Sequence, residues 1–254
     1  MPKLHHRHVI HFSWISVVLI FFVSWLSFEF TVGDIKGREN LVKKVYFALA
    51  RALPIRSAVH LNVPYHHQEH RLSCEVASLL MVLNYRGVKV TETELIRQLP
   101  VSDPGPRHRD NVWGDPNLGF VGNINGFMPD VGYGVYEQPI YDLANRYRPA
   151  RVMTDGSINQ LIVELNEGNP IVAWIVVGPD RDISWKTPEG KVIDAKFGEH
   201  VQVVIGYTGQ SISPELLILL DPAYGEVRLP VKDFLRNWEV MGKRAVVVYW
   251  RGWG

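Results

Sequence analysis

The chain has one cysteine among 254 residues and almost no surplus of charge, 27 Lys and Arg against 26 Asp and Glu. A single thiol excludes an intramolecular disulfide and a cysteine-rich zinc site, leaving it as a small buried hydrophobe or a free reactive group. A formal net charge of +1 provides no long-range field for a polyanion. No basic cluster interrupts the body of the chain either, which sets nucleic acid aside as a partner. The G-x-S-x-G elbow of serine hydrolases is missing, and so are the H-E-x-x-H helix of zincins and the Walker A loop. What is present is a globular composition, 46% hydrophobic with 10 Phe, 10 Tyr and 8 Trp, sufficient to close a core.

One apolar run stands apart from that globule. From Phe12 to Phe28 the sequence FSWISVVLIFFVSWLSF carries no charge. With Val9 and Ile10 it makes about 20 residues, which as a helix rising about 1.5 Å per residue spans a hydrocarbon core of about 30 Å. Lys3 and Arg7 precede it as in a signal n-region, but no small-x-small cleavage site follows, and Trp25 stands where a small residue is needed. Residues 9–30 are therefore expected to be an uncleaved signal anchor behind a short basic segment, residues 1–8. Trp25, Phe28 and Phe30 would lie at the far interface. The short basic flank favours a cytoplasmic N-terminus and a single-pass protein of the cell membrane with its domain outside. Residues 31–58 read as a tether. In it Leu41, Val42, Val45, Tyr46, Leu49 and Leu53 recur at helical spacing, with Lys43, Lys44 and Arg51 elsewhere, as in a helix lying on anionic lipid or docked on the domain.

Residues 59–254 read as one α+β domain. The stretch CEVASLLMVLNY, residues 74–85, predicts a helix with Val76, Leu79, Leu80 and Leu83 on one face, stopped at Gly87. Thr91-x-x-Glu94 and Ser157-x-x-Gln160 are capping-box patterns, opening helices that run to about Leu99 and Glu167. Apolar β-branched runs at 171–177, 200–207, 216–220 and 245–250 predict strands, and residues 230–238 a short helix. Short turn-rich connections favour a mainly antiparallel sheet. Residues 100–136 show no period and many Gly, Pro, Asn and Asp, predicting a long ordered loop that acts as lid or binding segment.

The single thiol falls at the N-terminus of a predicted helix. There the macrodipole and unpaired backbone N–H groups favour a thiolate, lowering the pKa from about 8.5. Gln68, six residues upstream, offers an amide N–H that could join the Cys74 backbone N–H in stabilising an oxyanion. His200 opens one predicted strand and Asp221 closes another. Adjacent strands would set the carboxylate beside the imidazole and orient it to take the thiol proton. Trp113, Asp115, Phe120 and Tyr133 of the long loop are candidates for the lining of a substrate groove, with self-packing of the loop as the alternative. A His/Cys metal site built on His66 and His70 would lack the third or fourth ligand that tetrahedral zinc needs, so no metal or other cofactor is expected.

The segments VPYHHQ-x5-CEVASLLMVLNYRGV, WGDP, GFVG, GYGVY, EHVQVVIGY and LLDPAYG resemble the C39-like cysteine peptidases. These are a papain-superfamily group related to the bacteriocin-processing peptidases that cut double-glycine leaders. The resemblance runs from about Leu61 to Tyr249. It implies a papain-like fold, with a mainly antiparallel sheet packed against the helix that carries the nucleophile. The family's nucleophile, base, orienting acid and oxyanion glutamine would fall on Cys74, His200, Asp221 and Gln68. It implies hydrolysis of a peptide or amide bond in a peptide or protein substrate. Cys-Glu-Val stands where transporter-linked members commonly carry Cys-Gly-Pro, and no ATPase motif follows, so the chain looks closer to the stand-alone, membrane-anchored members. Two alternatives remain open: a non-catalytic module of the same fold that binds a peptide or cell-wall fragment, and an acyltransferase that passes the acyl group to an amine.

Overall fold

In the computed structural model, residues 57–153 and 155–250 are described. The stretch expected to be a membrane anchor, residues 9–30, and the amphipathic tether segment lie outside the described residues. Among the described residues no helix is long and apolar enough to cross a membrane. In chain order the first elements are β1 (Ala58–His60), α1 (Cys74–Tyr85), α2 (Glu92–Gln98), β2 (Val101–Asp103), β3 (Phe120–Gly122), β4 (Gly132–Gly134), α3 (Glu137–Asn145) and β5 (Ala150–Met153). They are followed by α4 (Ile158–Asn166), β6 (Ile171–Lys186), β7 (Val192–Gln210), β8 (Ser213–Asp221), β9 (Gly225–Pro230), α5 (Val231–Glu239) and β10 (Ala245–Val248).

The apolar strand runs pair as their composition predicts. A seven-stranded sheet has the order β5-β10-β6-β7-β8-β9, with β1 added along β7. Every pairing within it is antiparallel. Successive side chains of a strand point to opposite faces, and β6 distributes its residues accordingly. Val172, Trp174 and Val176 join the core that contains α1, whereas Ile171, Ala173 and Ile175 join a second core with Leu161 and Leu165 of α4 and Phe234 and Trp238 of α5. The sheet is thus covered on both faces, which is why its strands read as nearly continuous apolar runs. β1 approaches so closely that a Cβ at Gly206 would lie 2.1 Å from the Val59 carbonyl oxygen.

Helix α1 is more deeply enclosed than its sequence pattern suggests. Every residue from Cys74 to Leu83 is buried, not only the predicted face. The reason is tertiary: β6 and β7 pack on one side and α2 and α3 on others. A helix apolar nearly all round belongs in such a position. Both predicted capping boxes are formed, Thr91 with Glu94 and Ser157 with Gln160.

Two differences from the sequence reading bear on the site. The strands expected to end at 177 and to begin at 200 continue toward each other as a long hairpin, with Trp185 opposite Ile193 and a register break between Val176 and Arg181. Gly178, Pro179 and a run of charged residues hide this extension in the sequence. The second difference concerns residues 100–136, which form a small sheet of order β2-β3-β4. That sheet is tied to the hairpin by Trp185 Nε1–H donating to the Gly114 carbonyl at 2.7 Å and Trp113 N–H donating to that of Lys186 at 2.8 Å.

Candidate active site

β7 carries His200 in mid-strand, two residues before Gln202 and on the same face. Asp221 closes β8, the neighbour of β7, with Leu220 opposite Val203. This register delivers the expected juxtaposition: His200 Nε2 lies 2.9 Å from Asp221 Oδ2, and Gln202 Nε2 donates to the same oxygen at 2.6 Å. The other oxygen accepts from the backbone N–H groups of Ala223 and Tyr224, at 2.7 and 3.2 Å, in the turn that follows β8. Burial pushes the Asp221 carboxyl up, but the donors, His200 first, more than offset it and hold the group below the usual carboxylate range. With Nε2 committed to Asp221, Nδ1 is left as the imidazole nitrogen that faces any other partner.

Cys74 opens α1, as the sequence predicts, but its electrostatics are the reverse of the expectation from the helix terminus. The thiol is 6% exposed and donates to Glu75 Oε2 at 3.4 Å. Burial raises its pKa well above the ordinary value; the carboxylates of Glu75 and Glu199 raise it further, while a backbone hydrogen bond from Val201 lowers it. A thiolate in this arrangement would sit in a desolvated site beside two acids, an effect larger than that of the helix dipole. Among the described residues no thiol–imidazole hydrogen bond is formed.

The two acids were not anticipated. Glu75 is fully buried, and its Oε1 accepts from the Val135 backbone N–H at 2.7 Å. Burial lifts its carboxyl to about 7, against the opposing effect of backbone N–H groups, the thiol and His200. Glu199, one residue before His200, is 4% exposed and neither carboxylate oxygen has a hydrogen-bond partner. Burial, then the charge of Glu75, raises its pKa well above the usual range, opposed by Arg244. The Cys74 sulfur and one oxygen from each of these acids lie within 4.8 Å of one another. Gly134 makes the approach feasible: a Cβ there would stand 2.4 Å from Glu75 Oε1 and 3.1 Å from Glu199 Oε2. A signal for both residues exists in the sequence, since each is a charge set into an otherwise apolar segment, CEVASLL and EHVQVV. Gln202 carries the same signal.

Gln68 is close to the loop that leads into α1, but its amide is already engaged. Nε2 donates to the carbonyls of His70 and Arg71 at 2.8 and 3.0 Å, and Oε1 is buried without a partner. The candidate groove residues are placed inside rather than along an open groove. Trp113, Asp115, Phe120 and Tyr133 are all buried, at 0, 5, 3 and 1% exposure. Trp113 and Tyr133 pack edge-on against Trp185 at centroid distances of 5.4 and 5.1 Å, and Asp115 pairs with Lys191 at 2.7 Å. The hairpin extension covers Trp113, Asp115 and Tyr133. Phe120 borders a cleft of about 300 Å³ together with Ile96, Leu99 and Ile124. His66 and His70 do not join Cys74 in a ligand set. His66 Nε2 contacts Glu92 at 2.7 Å, and His70 Nδ1 contacts Asn125 at 3.0 Å. His66, Glu69 and Glu92 form a second cluster able to offer ligand atoms to an ion.

Comparison with known proteins agrees with this architecture. The profile of the Peptidase C39 like family matches residues 60–246. YvpB of Bacillus subtilis (strain 168), described as uncharacterized, is 37% identical over 184 residues, spanning 69% of this chain and 68% of its own length. The crystal structure of a candidate C39-like peptidase from Bacillus anthracis superposes with a TM-score of 0.68 at 32% identity, covering 78% of this chain and 100% of that one. The chain belongs to the Peptidase C39 like family.

Proposed function

We propose that this protein is a membrane-anchored cysteine hydrolase that cleaves a peptide or amide bond through Cys74, His200 and Asp221. Family membership supports a peptidase-type function in general. The observation that carries the specific reading is the 2.9 Å contact of His200 Nε2 with Asp221 Oδ2, which leaves Nδ1 free and fixes the ring one residue from Val201, whose backbone contacts the thiol.

In this reading the sulfur turns from Glu75 toward His200 Nδ1, which takes the thiol proton. The thiolate attacks the carbonyl carbon, and the oxyanion that forms is met by the Cys74 backbone N–H, unpaired within the helix by its position in the first turn. Collapse breaks the C–N bond, the departing amine takes the proton from His200, and water then releases the acyl group with His200 again as base. Asp221 remains ionised throughout and orients the ring. Anchoring through residues 9–30, with the domain outside the cell membrane, rests on the uncharged apolar run and its basic flank.

The test is cleavage of a peptide library by the full chain in detergent. Products that appear with the wild type and vanish with Cys74→Ala support the reading; identical product sets overturn it. One observation favours a second reading, a peptide-binding module without turnover: the thiol is buried and held by Glu75 rather than by the imidazole. Equal peptide affinity of wild type and Cys74→Ala, with no cleavage by either, would select it. Transfer of the acyl group to an added amine would instead show an acyltransferase.

A further inference from the structure

Two buried carboxyl groups beside a thiol need an account that the triad chemistry does not supply. Glu75 and Glu199 face each other across Gly134 from α1 and β7, and among the described residues no cation is hydrogen-bonded to either. From α1 comes the Cys74 thiol, donating to Glu75. From β4 and the residues after it come the Val135 N–H, donating to Glu75, and the hydroxyls of Tyr133 and Tyr136, which pair with each other at 3.0 Å. From β7 comes His200, turned to Asp221. Arg244, whose charge acts on Glu199, is itself held at 2.7 Å by both oxygens of Glu137. Two negative charges this deep, with no positive partner and with both Glu199 oxygens lacking a donor, cannot both persist; at least one carboxyl keeps its proton.

We propose that Glu75 and Glu199 are a carboxyl pair, retaining at least one proton, that acts as a brake on Cys74: the thiol ionises more readily while both carboxyls are protonated, and loss of the first proton, from Glu75, holds it as a thiol. When Glu75 ionises, its proton leaves to solvent. The proton that stays on Glu199 keeps that carboxyl neutral beside the Glu75 carboxylate, and the Cys74 S–H donates to Glu75 Oε2. A thiolate would then place a second negative charge against that oxygen in a desolvated site. When Glu75 is protonated, its O–H is instead available to the sulfur, and the opposing charge is gone. Glu75 touches the reacting sulfur, whereas Glu199 acts through Glu75 and is a positioning residue. The elevation of the Glu75 carboxyl to about 7 sets the pH at which the brake engages. A resident cation fits less well. Only three ligand atoms converge, and among the described residues no histidine or further carboxylate completes a tetrahedral set.

The inference rests on Cys74 as the nucleophile, but thiol chemistry reads it without substrate. Because Cys74 is the sole cysteine, alkylation of the full chain by iodoacetamide reports on it alone. The expected wild-type profile rises with pH, levels off above about 7, and rises again at alkaline pH, since the first proton lost is shared between Glu75 and the thiol. Glu75→Gln should abolish the plateau and label about tenfold faster than wild type one pH unit above the break, the factor that one pKa unit represents. His200→Ala should keep the plateau. Infrared difference spectra should show a protonated carboxylic acid band that persists above neutral pH and disappears in Glu199→Gln. A single unbroken rise in the wild type, a plateau that survives Glu75→Gln but not His200→Ala, or the absence of the persistent band overturns the proposal. So does a stoichiometric divalent ion, found in the purified wild type and lost in Glu199→Gln. The wild-type profile and spectrum decide the matter even where a variant fails to fold. Failure of the peptidase reading looks different: the plateau is intact and no Cys74-dependent cleavage occurs.

Discussion

Asp221 and Glu199 are both nearly inaccessible acids, 2% and 4% exposed, one closing β8 beside His200 and the other preceding His200 on β7. They are nevertheless held in opposite ways. Asp221 receives four donors, two from side chains and two from a turn, and these hold its carboxyl below the usual carboxylate range. Glu199 receives none, and its carboxyl is pushed toward the neutral form. The division follows the contacts: His200 and Gln202 both serve Asp221, while Glu199 lies with Glu75 beside the thiol. Burial alone therefore does not decide whether an acid is charged; the count of donors aimed at it does.

The strongest way to break this comparison is to remove the proposed nucleophile. Cys74→Ala should lower peptide cleavage by at least on the order of 10³-fold while leaving the fold intact, read by turnover alongside circular dichroism. Asp221→Asn removes the charge but not the shape on the well-donated side. It should lower kcat by on the order of 10²–10⁴-fold, because the imidazole loses the acceptor that fixes its tautomer; unchanged kcat would remove Asp221 from the mechanism. Gln202→Leu takes away one donor from that same oxygen. Stability should fall by about 1–3 kcal/mol in denaturant titration, and the acid limb of unfolding should move to higher pH, because Asp221 contributes stability that is lost as pH falls through its depressed pKa.

On the poorly donated side the sign reverses. The Glu75 carboxyl is raised to about 7, so the folded protein keeps a proton that the unfolded chain releases in the ordinary carboxyl range. Stability from this group is complete below that range and is lost as pH rises to about 7. Glu75→Gln should then be more stable than wild type at pH 8, by on the order of 1–2 kcal/mol, with the difference vanishing on acidification. A constant difference across pH would mean that the carboxyl does not titrate as described. The smallest effect is expected at Gln68, whose amide clamps the carbonyls of His70 and Arg71. Gln68→Ala should cost about 1 kcal/mol of stability and little else. A fall in kcat of on the order of 10²-fold at constant KM would restore it as an oxyanion donor.

The helix that carries Cys74, both capping boxes and the four apolar strands are legible in the sequence because each depends on local periodicity or on fixed short spacings. The adjacency of His200 and Asp221 is legible for a related reason, since the two lie on successive strands that pair, although His200 sits in mid-strand rather than at a strand end. The short elements β1, α3, β5 and β9 escape such reading, being three to nine residues long with weak periods of their own. The burial of Trp113, Asp115 and Tyr133 escapes it too, since it depends on a hairpin whose outer half is charged and contains Gly178 and Pro179. Glu75 and Glu199 are visible only as charges out of place in apolar segments.

By itself the sequence singled out the candidates for the chemistry: one thiol at a helix start, one imidazole, one acid on the next strand, and an apolar run long enough to span a membrane. Only the tertiary structure decided their charge states. The helix terminus alone would make Cys74 acidic, but the packing of β7 and the Gly134 strand against α1 closes water out and brings Glu199 to Glu75. Desolvation and like charge at that point act over a few ångströms between residues more than 100 positions apart, a range that no local pattern records.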